Sequence, residues 1–469
     1  ERLMAKQRDQ ARAASGFKTK RDGASTFWTS EALDKKVLDT QDRFEGYETT
    51  RIDGGMILML WNDAPAPCTQ LDAGNTGYFS LDRSPFYVEA GGQVSDTGHI
   101  VSHDGKMKAV VEDMALWGSF PRLHRIRVIA GTLSQGDVVS AVVDAPRRRA
   151  IQRNHTATHL LHAALRQVLG HHVTQAGSLV SPERLRFDFT HPTPLSQTDV
   201  EEIERLVNEQ VLTSIPVDTV EQPTDEAISN GAIALFGEKY GDRVRVVSIS
   251  DFSKELCGGT HCCATGEIGS FLIEQESGTA AGVRRLEAVT GTPAIQRQQA
   301  RRSLLNGILQ ELASPETRAL DVLKEQQAQT KQLARDVKIL KLKLELASET
   351  ATHIDIDGVT LLTRRADGLD KGSLRTLADQ LKGNIKSGLV VLASATEAGQ
   401  VVIIVSVTPD LKARVPAGQV VKALAVLVGG GGGGGRPDFA EAGGKEPQHI
   451  DHMLSESENV VRSLLDNKE

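Results

Sequence analysis

Two pairs of residues with four-residue spacing constrain this chain more than any other feature: His155 with His159, and Cys257 with His261. The segment around the first pair, IQRNHTATHLLHAALRQVLG, has helical period, with Ala157, Leu160, Leu161, Ala164, Leu165, Val168 and Leu169 on an apolar face. Helix positions four apart lie about one turn apart on one face, so both imidazoles can share an ion. The second pair repeats the step in CGGTH, where two glycines let the backbone turn tightly. Together the pairs supply three imidazoles and one thiolate, a set suited to tetrahedral zinc. Neutral imidazole and thiolate are the binding forms, so the site is expected to weaken in acid. His162, His171 and His172 do not fit the spacing and are expected at the surface. Cys262 and Cys263 are expected to be small buried thiols. Four protein ligands suit a structural metal, whereas a metal with an open position activates water or grips a substrate.

The remainder sorts into units around that site. At 469 residues the chain exceeds one ordinary domain. Residues 1–45 read as a helical lead-in. Residues 46–150 carry short apolar runs such as GGMILML, GYFSLD and HIVSHD, as in a small β-barrel, with SPFYVEAGGQVSDTG (84–98) as a glycine-rich loop. Residues 151–294 form an α+β zinc unit, in which Ser196 is a helix N-cap. Residues 295–350 are helical, with a restart at Ser314-Pro315 and a coiled-coil seam at Leu333, Val337, Leu340 and Leu344. The seam suits either a helix pair packed within the chain or a dimer or RNA contact. Residues 351–469 read as an α/β unit in the order βαββα, then a glycine run (429–435), then a last helix. Seven glycines form no core; they suit a loop with positive φ or close backbone approach. The fold class is therefore α+β multidomain.

Composition narrows the setting. Three of the four cysteines fall within seven residues, which is no disulfide framework and fits a reducing, cytoplasmic location. No run of 18 apolar residues occurs, so no membrane span is expected, and the charged start lacks the apolar stretch of a signal peptide. The first residue is Glu1, from which we expect a part of a longer chain. The formal net charge of −7 argues mildly against a nucleic-acid partner, so any RNA contact has to be local.

Several segments, in order, carry a family resemblance: HTATHLLH, HVTQAGSLV, FGEKYGD, CGGTH and GVRRLEAVTG. They resemble the editing domain of alanyl-tRNA synthetases. SPFYVEAGGQVSDTG resembles the barrel that precedes that domain, and GGGGGGRPDFAEAGG resembles the family's globular C-terminal domain. The resemblance covers essentially the whole chain, without the class II aminoacylation domain that the family carries N-terminally. It implies hydrolysis of serine or glycine wrongly attached to tRNA(Ala), with zinc on His155, His159, Cys257 and His261. It implies Thr158 and Gln175 as editing-pocket residues; Gln175 offers both a donor and an acceptor. Arg284 and Arg285 are candidates for tRNA phosphate or fold contacts, and Arg436, at the end of the glycine run, for tRNA binding. A homodimer through the seam and the C-terminal unit is also expected. CCATGEIG departs from the pattern after CGGTH, where basic residues are common. Four rivals remain: a free-standing protein that edits in trans, the editing domain of threonyl-tRNA synthetase, an RNA-binding module with a structural zinc, and a phosphoesterase. CGGTH and the C-terminal glycines favour alanyl over threonyl, and no aspartate-rich metal cluster supports the phosphoesterase.

Overall fold

The computed structural model describes residues 42–64, 66–116, 121–234, 240–348, 351–396 and 399–466. Most of the expected helical lead-in, and residues 236–239 of FGEKYGD, lie outside the described residues. The chain divides into two compact units, Glu1–Leu304 and Leu305–Glu469. Mixed α and β layers in both units make this an α+β multidomain protein.

In the first unit, strands Arg51–Asn62, Thr76–Leu81, Leu123–Ala130, Lys108–Ala115, Gly98–Ser102 and Val138–Val143 pair in that order. The last strand pairs back onto the first, which closes a six-stranded barrel. Alternation drives this closure. In LHRIRVIA, Leu123, Ile126 and Val128 are buried while Arg125 and Arg127 are exposed, so one face of each strand feeds a common core that includes Phe79, Phe86 and Ile100.

The loop that follows Ser84 folds back onto the neighbouring α+β layer and is held by buried polar groups. Ser84 Oγ bonds His124 Nε2 at 2.7 Å. Arg148, 1% exposed, lies in the first turns of helix α1 (Ala145–Leu169). It donates to Asp96 and to the carbonyls of Gly46 and Pro85.

Helix α1 is buried on two sides. Leu160, Leu161, Ala164 and Leu165 join the core beneath the sheet, while His155, Thr158, His159 and His162 form a buried polar stripe. The sheet runs Gln175–Val180, Leu185–Thr190, Val283–Thr290, Phe271–Ala280, and a second one runs Asp218–Pro223, Arg243–Ile249, Ser253–Leu256. Helix α2 (Gln197–Thr213) starts at Ser196, which forms a capping box with Asp199. The short α3 (Thr224–Ser229) follows.

Helices α4 (Gly291–Glu311) and α5 (Ala319–Ala347) cover most of the expected helical stretch. Ser314 does not cap α5. Its amide donates to Leu309 and its hydroxyl to the Pro315 carbonyl, so it closes α4, and a short 3-10 turn precedes Ala319. The seam residues Leu333, Val337, Leu340 and Leu344 are exposed, at 50–72%.

The second unit is a six-stranded sheet ordered Thr352–Ile356, Val359–Arg365, Gly388–Ala395, Val401–Val407, Phe439–Gly444, Gly433–Arg436. Its one parallel pair, Val359–Arg365 with Gly388–Ala395, is bridged by α6 (Lys371–Gly383). Leu361, Val391 and Ile403 face one core with Val420 and Val421 of α7 (Ala417–Val426) and Met453 and Val461 of α8 (Ile450–Asp466). Leu362, Val390 and Ile404 face the other with Leu374 and Leu377 of α6. The glycine run is only partly a loop: Gly433–Arg436 is an edge strand paired to Phe439–Gly444. Backbone pairing needs no side chain, and a Cβ at Gly435 would meet the Phe439 carbonyl at 2.3 Å.

Candidate metal centre and its cavity

The two sequence pairs converge. His155 and His159 come from one face of α1, and Cys257 and His261 from the turn after strand Ser253–Leu256. Their four ligand atoms lie within 4.8 Å of one another. Cys257 Sγ stands 3.4 Å from His155 Nε2 and 3.3 Å from His261 Nε2. A tetrahedral zinc with nitrogen at about 2.0 Å and sulfur at about 2.3 Å spaces such ligands roughly 3.5 Å apart. The donor set and its spacing therefore fit zinc.

The CGGTH turn is clamped through its carbonyls. Arg245 donates to the Cys257 and Gly259 oxygens at 3.1 and 2.7 Å, and Tyr47 Oη donates to Gly258 at 2.7 Å. The Arg245 guanidinium lies over the Tyr47 ring at 4.2 Å. Gly259 has no room for a side chain, since a Cβ would sit 2.0 Å from His155 Cε1.

Two of the imidazoles hydrogen-bond an outer partner, as metal-binding histidines usually do, and the third lies at ion-pair distance from a carboxylate. His155 Nδ1 bonds Gln93 Oε1 at 2.7 Å. His159 Nδ1 lies 3.6 Å from Glu255 Oε2. His261 Nδ1 bonds Thr156 Oγ1 at 3.2 Å.

The electrostatics follow from burial and these neighbours. Burial pushes the Cys257 thiol up, but His155, His261 and His159 around it hold it well below its ordinary value. Burial, with His155 beside it, pulls His261 down to about 3. His159 moves the other way: against burial, Glu255 and Cys257 raise it to about 9. Glu255 is buried, which would raise it, yet His159 and His162 hold it below the usual carboxylate range. The cluster thus holds a thiolate beside a proton on His159, and a bound cation would take that proton's place.

A cavity of about 330 Å³ opens on the cluster. Phe44, Tyr47, Tyr87, Leu116 and Arg122 line its barrel side, and His155, His159, Cys257, Glu255, Thr158 and Gln175 its other side. Thr158, 4% exposed, donates its hydroxyl to the Asn154 carbonyl at 2.8 Å. Gln175 begins the edge strand Gln175–Val180. Arg284 and Arg285 are not among the cavity residues. Arg284 pairs with Glu276, and Arg285 grips Asp188 at 2.6 and 2.7 Å, so both brace the sheet. Arg436, in the second unit, is exposed and lies 3.5 Å from Asp438.

Two expectations fail. His162 is buried rather than on the surface, because its Nδ1 bonds the inward-facing Glu255 at 2.9 Å. Cys263 is exposed, although Cys262 is buried and joins the apolar core beside α1. Gln93, Glu255, Thr156, Arg245 and Tyr47 did not stand out in the sequence. Only the glycine pair before Gln93 and the closeness of Glu255 to Cys257 hinted at two of them.

Known proteins match along the chain. Residues 1–147 match the family model for class II (A) tRNA synthetases. Residues 244–287 match the threonyl and alanyl tRNA synthetase second additional domain, and 358–463 match the DHHA1 domain. The alanine–tRNA ligase of Halorhodospira halophila is 43% identical over 99% of this chain and 52% of its own length. That of Solibacter usitatus is 42% identical over 98% and 52%. The C-Ala domain of Aquifex aeolicus alanyl-tRNA synthetase matches 24% of this chain and 98% of its own, at 25% identity and a TM-score of 0.23. With three family models matching in order and identity of this level along nearly all its length, the chain is similar to alanine–tRNA ligases and spans about half the length of the curated relatives it matches.

Proposed function

We propose that the first unit hydrolyses the ester of serine or glycine wrongly attached to tRNA(Ala), using a zinc site on His155, His159, Cys257 and His261. The observation that carries this reading is the cavity, which opens on His155, His159 and Cys257 of the cluster beside Thr158 and Gln175 instead of sealing them. Its volume suits a small substrate end. Zinc held by these four residues would order the pocket, and it would polarise the ester carbonyl only where one ligand gives way.

The chain's own residues do the rest. Gln175 presents a donor and an acceptor to the amino acid or the terminal ribose. Phe44, Tyr47 and Tyr87 give the cavity an aromatic wall that excludes water around the nucleoside end. Water adds to the ester carbonyl, the bond to the ribose oxygen breaks, and that oxygen leaves with a proton. A site built to bond the serine hydroxyl leaves its polar groups unpaired with alanine, so the cognate ester survives; glycine, which lacks that hydroxyl too, has to be accepted on other contacts.

The second unit we assign to the tRNA body, through local contacts around Arg436, and the exposed seam of α5 to pairing with a second copy. Burying each of its side chains would contribute about 1.5–3 kcal/mol before entropy.

The test is to incubate the chain with Ser-tRNA(Ala) and Ala-tRNA(Ala) and follow deacylation. Release of serine but not alanine is expected. Cys257→Ala should lower zinc content and serine release together; full deacylation without zinc would make the metal structural. Gln175→Ala should change the ratio of serine to alanine release, and an unchanged ratio and rate would remove it from the site. Removing 351–469 should weaken binding to whole tRNA while hydrolysis of a minimal acceptor-end substrate is largely kept.

A further inference from the structure

We infer that Gln93, carried on the glycine-rich loop that leaves the barrel, is a positioning residue that decides which nitrogen of His155 faces the metal site. This rests on the reading of His155, His159, Cys257 and His261 as metal ligands.

The Thr260 backbone N–H can only donate, and it lies 2.9 Å from Gln93 Oε1. That contact identifies the acceptor end of the carboxamide. The same oxygen is 2.7 Å from His155 Nδ1. Two acceptors cannot bond each other, so Nδ1 carries the ring proton. Nε2 is then left with its lone pair, and it is this atom that stands 3.4 Å from Cys257 Sγ. The amide end of Gln93 is used as well: Nε2 donates to Thr260 Oγ1 at 2.9 Å. Gln93 itself is fully buried, so no water competes for these bonds.

The backbone around Gln93 is held on both sides. Val180 N–H donates to the Gly92 carbonyl at 2.7 Å, and Val94 N–H donates to the Val180 carbonyl at 3.1 Å. Gly92 has φ 86°, and a Cβ there would meet the Ser178 carbonyl at 2.5 Å, so only glycine brings the loop this close. The outer partners of the other two imidazoles, Glu255 and Thr156, lie in the α+β layer that also bears the ligands. Gln93 comes from the loop between two barrel strands. The barrel is thereby part of the metal site, and detaching its loop frees the His155 ring to turn.

The test uses the full chain with Gln93→Glu and Gln93→Leu, two replacements of similar size. Zinc affinity is measured by competition with a chelator, and ligand geometry by the absorption spectrum of the cobalt-loaded protein. Gln93→Leu should bind zinc about 10–100-fold more weakly, with altered cobalt bands. Gln93→Glu keeps an acceptor for both Thr260 N–H and His155 Nδ1–H and should stay within a few-fold of wild type, with unchanged bands. A Leu variant that matches wild type in affinity and spectrum overturns the role, and so does a Glu variant that falls as far as Leu. Should the Leu variant not fold, the wild-type chain still decides. In ¹⁵N-histidine spectra of its zinc-loaded form, His155 must carry its proton on Nδ1, and a protonated Nε2 overturns the inference. A wild type that takes up neither zinc nor cobalt removes the metal reading itself, which is distinct from a wild type that binds metal no better than the Leu variant.

Discussion

The chain has two glycine-rich segments that look alike on paper and are used in opposite ways. The first, 84–98, leaves its barrel and is tied down by buried polar groups: His124 at Ser84, Arg148 at Asp96, and His155 at Gln93. The second, 429–435, turns back onto its own sheet and is tied down by backbone alone, through pairing of Gly433–Arg436 with Phe439–Gly444. Glycine in both cases permits close approach. What is approached differs: a buried cluster of histidines and a cysteine in one, the segment's own neighbouring strand in the other. Glycine content therefore says that the backbone comes near something, and says nothing of what.

The comparison breaks most sharply at Arg148. Arg148→Ala leaves Asp96 as an unpaired buried charge and should cost about 3–5 kcal/mol in the first unit's thermal or denaturant unfolding. A loss below about 1 kcal/mol would mean the loop is held by something other than its buried charges.

A slightly smaller effect should appear with pH at the start of the same loop. Burial pulls His124 from 6.5 down to about 4, so it is neutral in the fold and takes a proton on unfolding. Since the unfolded state binds more protons, stability from this group is complete above about pH 6.5 and falls away towards pH 4, by about 3 kcal/mol in all. His124→Gln should flatten that part of the pH profile. The second segment has no such buried group, so unfolding of the C-terminal unit should lack this slope. Equal slopes in the two units would remove the contrast.

Within the second segment the effects should be smaller and uneven. A Cβ at Gly430 would meet the Gly443 carbonyl at 2.2 Å, and one at Gly435 the Phe439 carbonyl at 2.3 Å. Alanine at either should destabilise the C-terminal unit by about 1–3 kcal/mol. Gly434, next to Gly435, faces open space, so Gly434→Ala should change stability by no more than about 0.5 kcal/mol. Equal losses at 434 and 435 would show that the run is not spaced by its sheet contacts.

Spacing along the chain was enough to name His155, His159, Cys257 and His261, because four-residue steps on a helix and in a tight turn are local geometry. Local signals also placed Ser196 at a helix start and the barrel strands between their turns. They misplaced Ser314, whose amide bonds back into α4, and His162, whose burial comes from Glu255, 93 residues away. Gln93 lies 62 residues from His155, and Thr156 lies 105 from His261. Periodicity settles which side chains share a face, since that depends only on dihedrals repeated over a few residues. Which groups meet that face depends on how distant segments pack, so the ligands belong to the sequence and the partners that aim them to the tertiary structure.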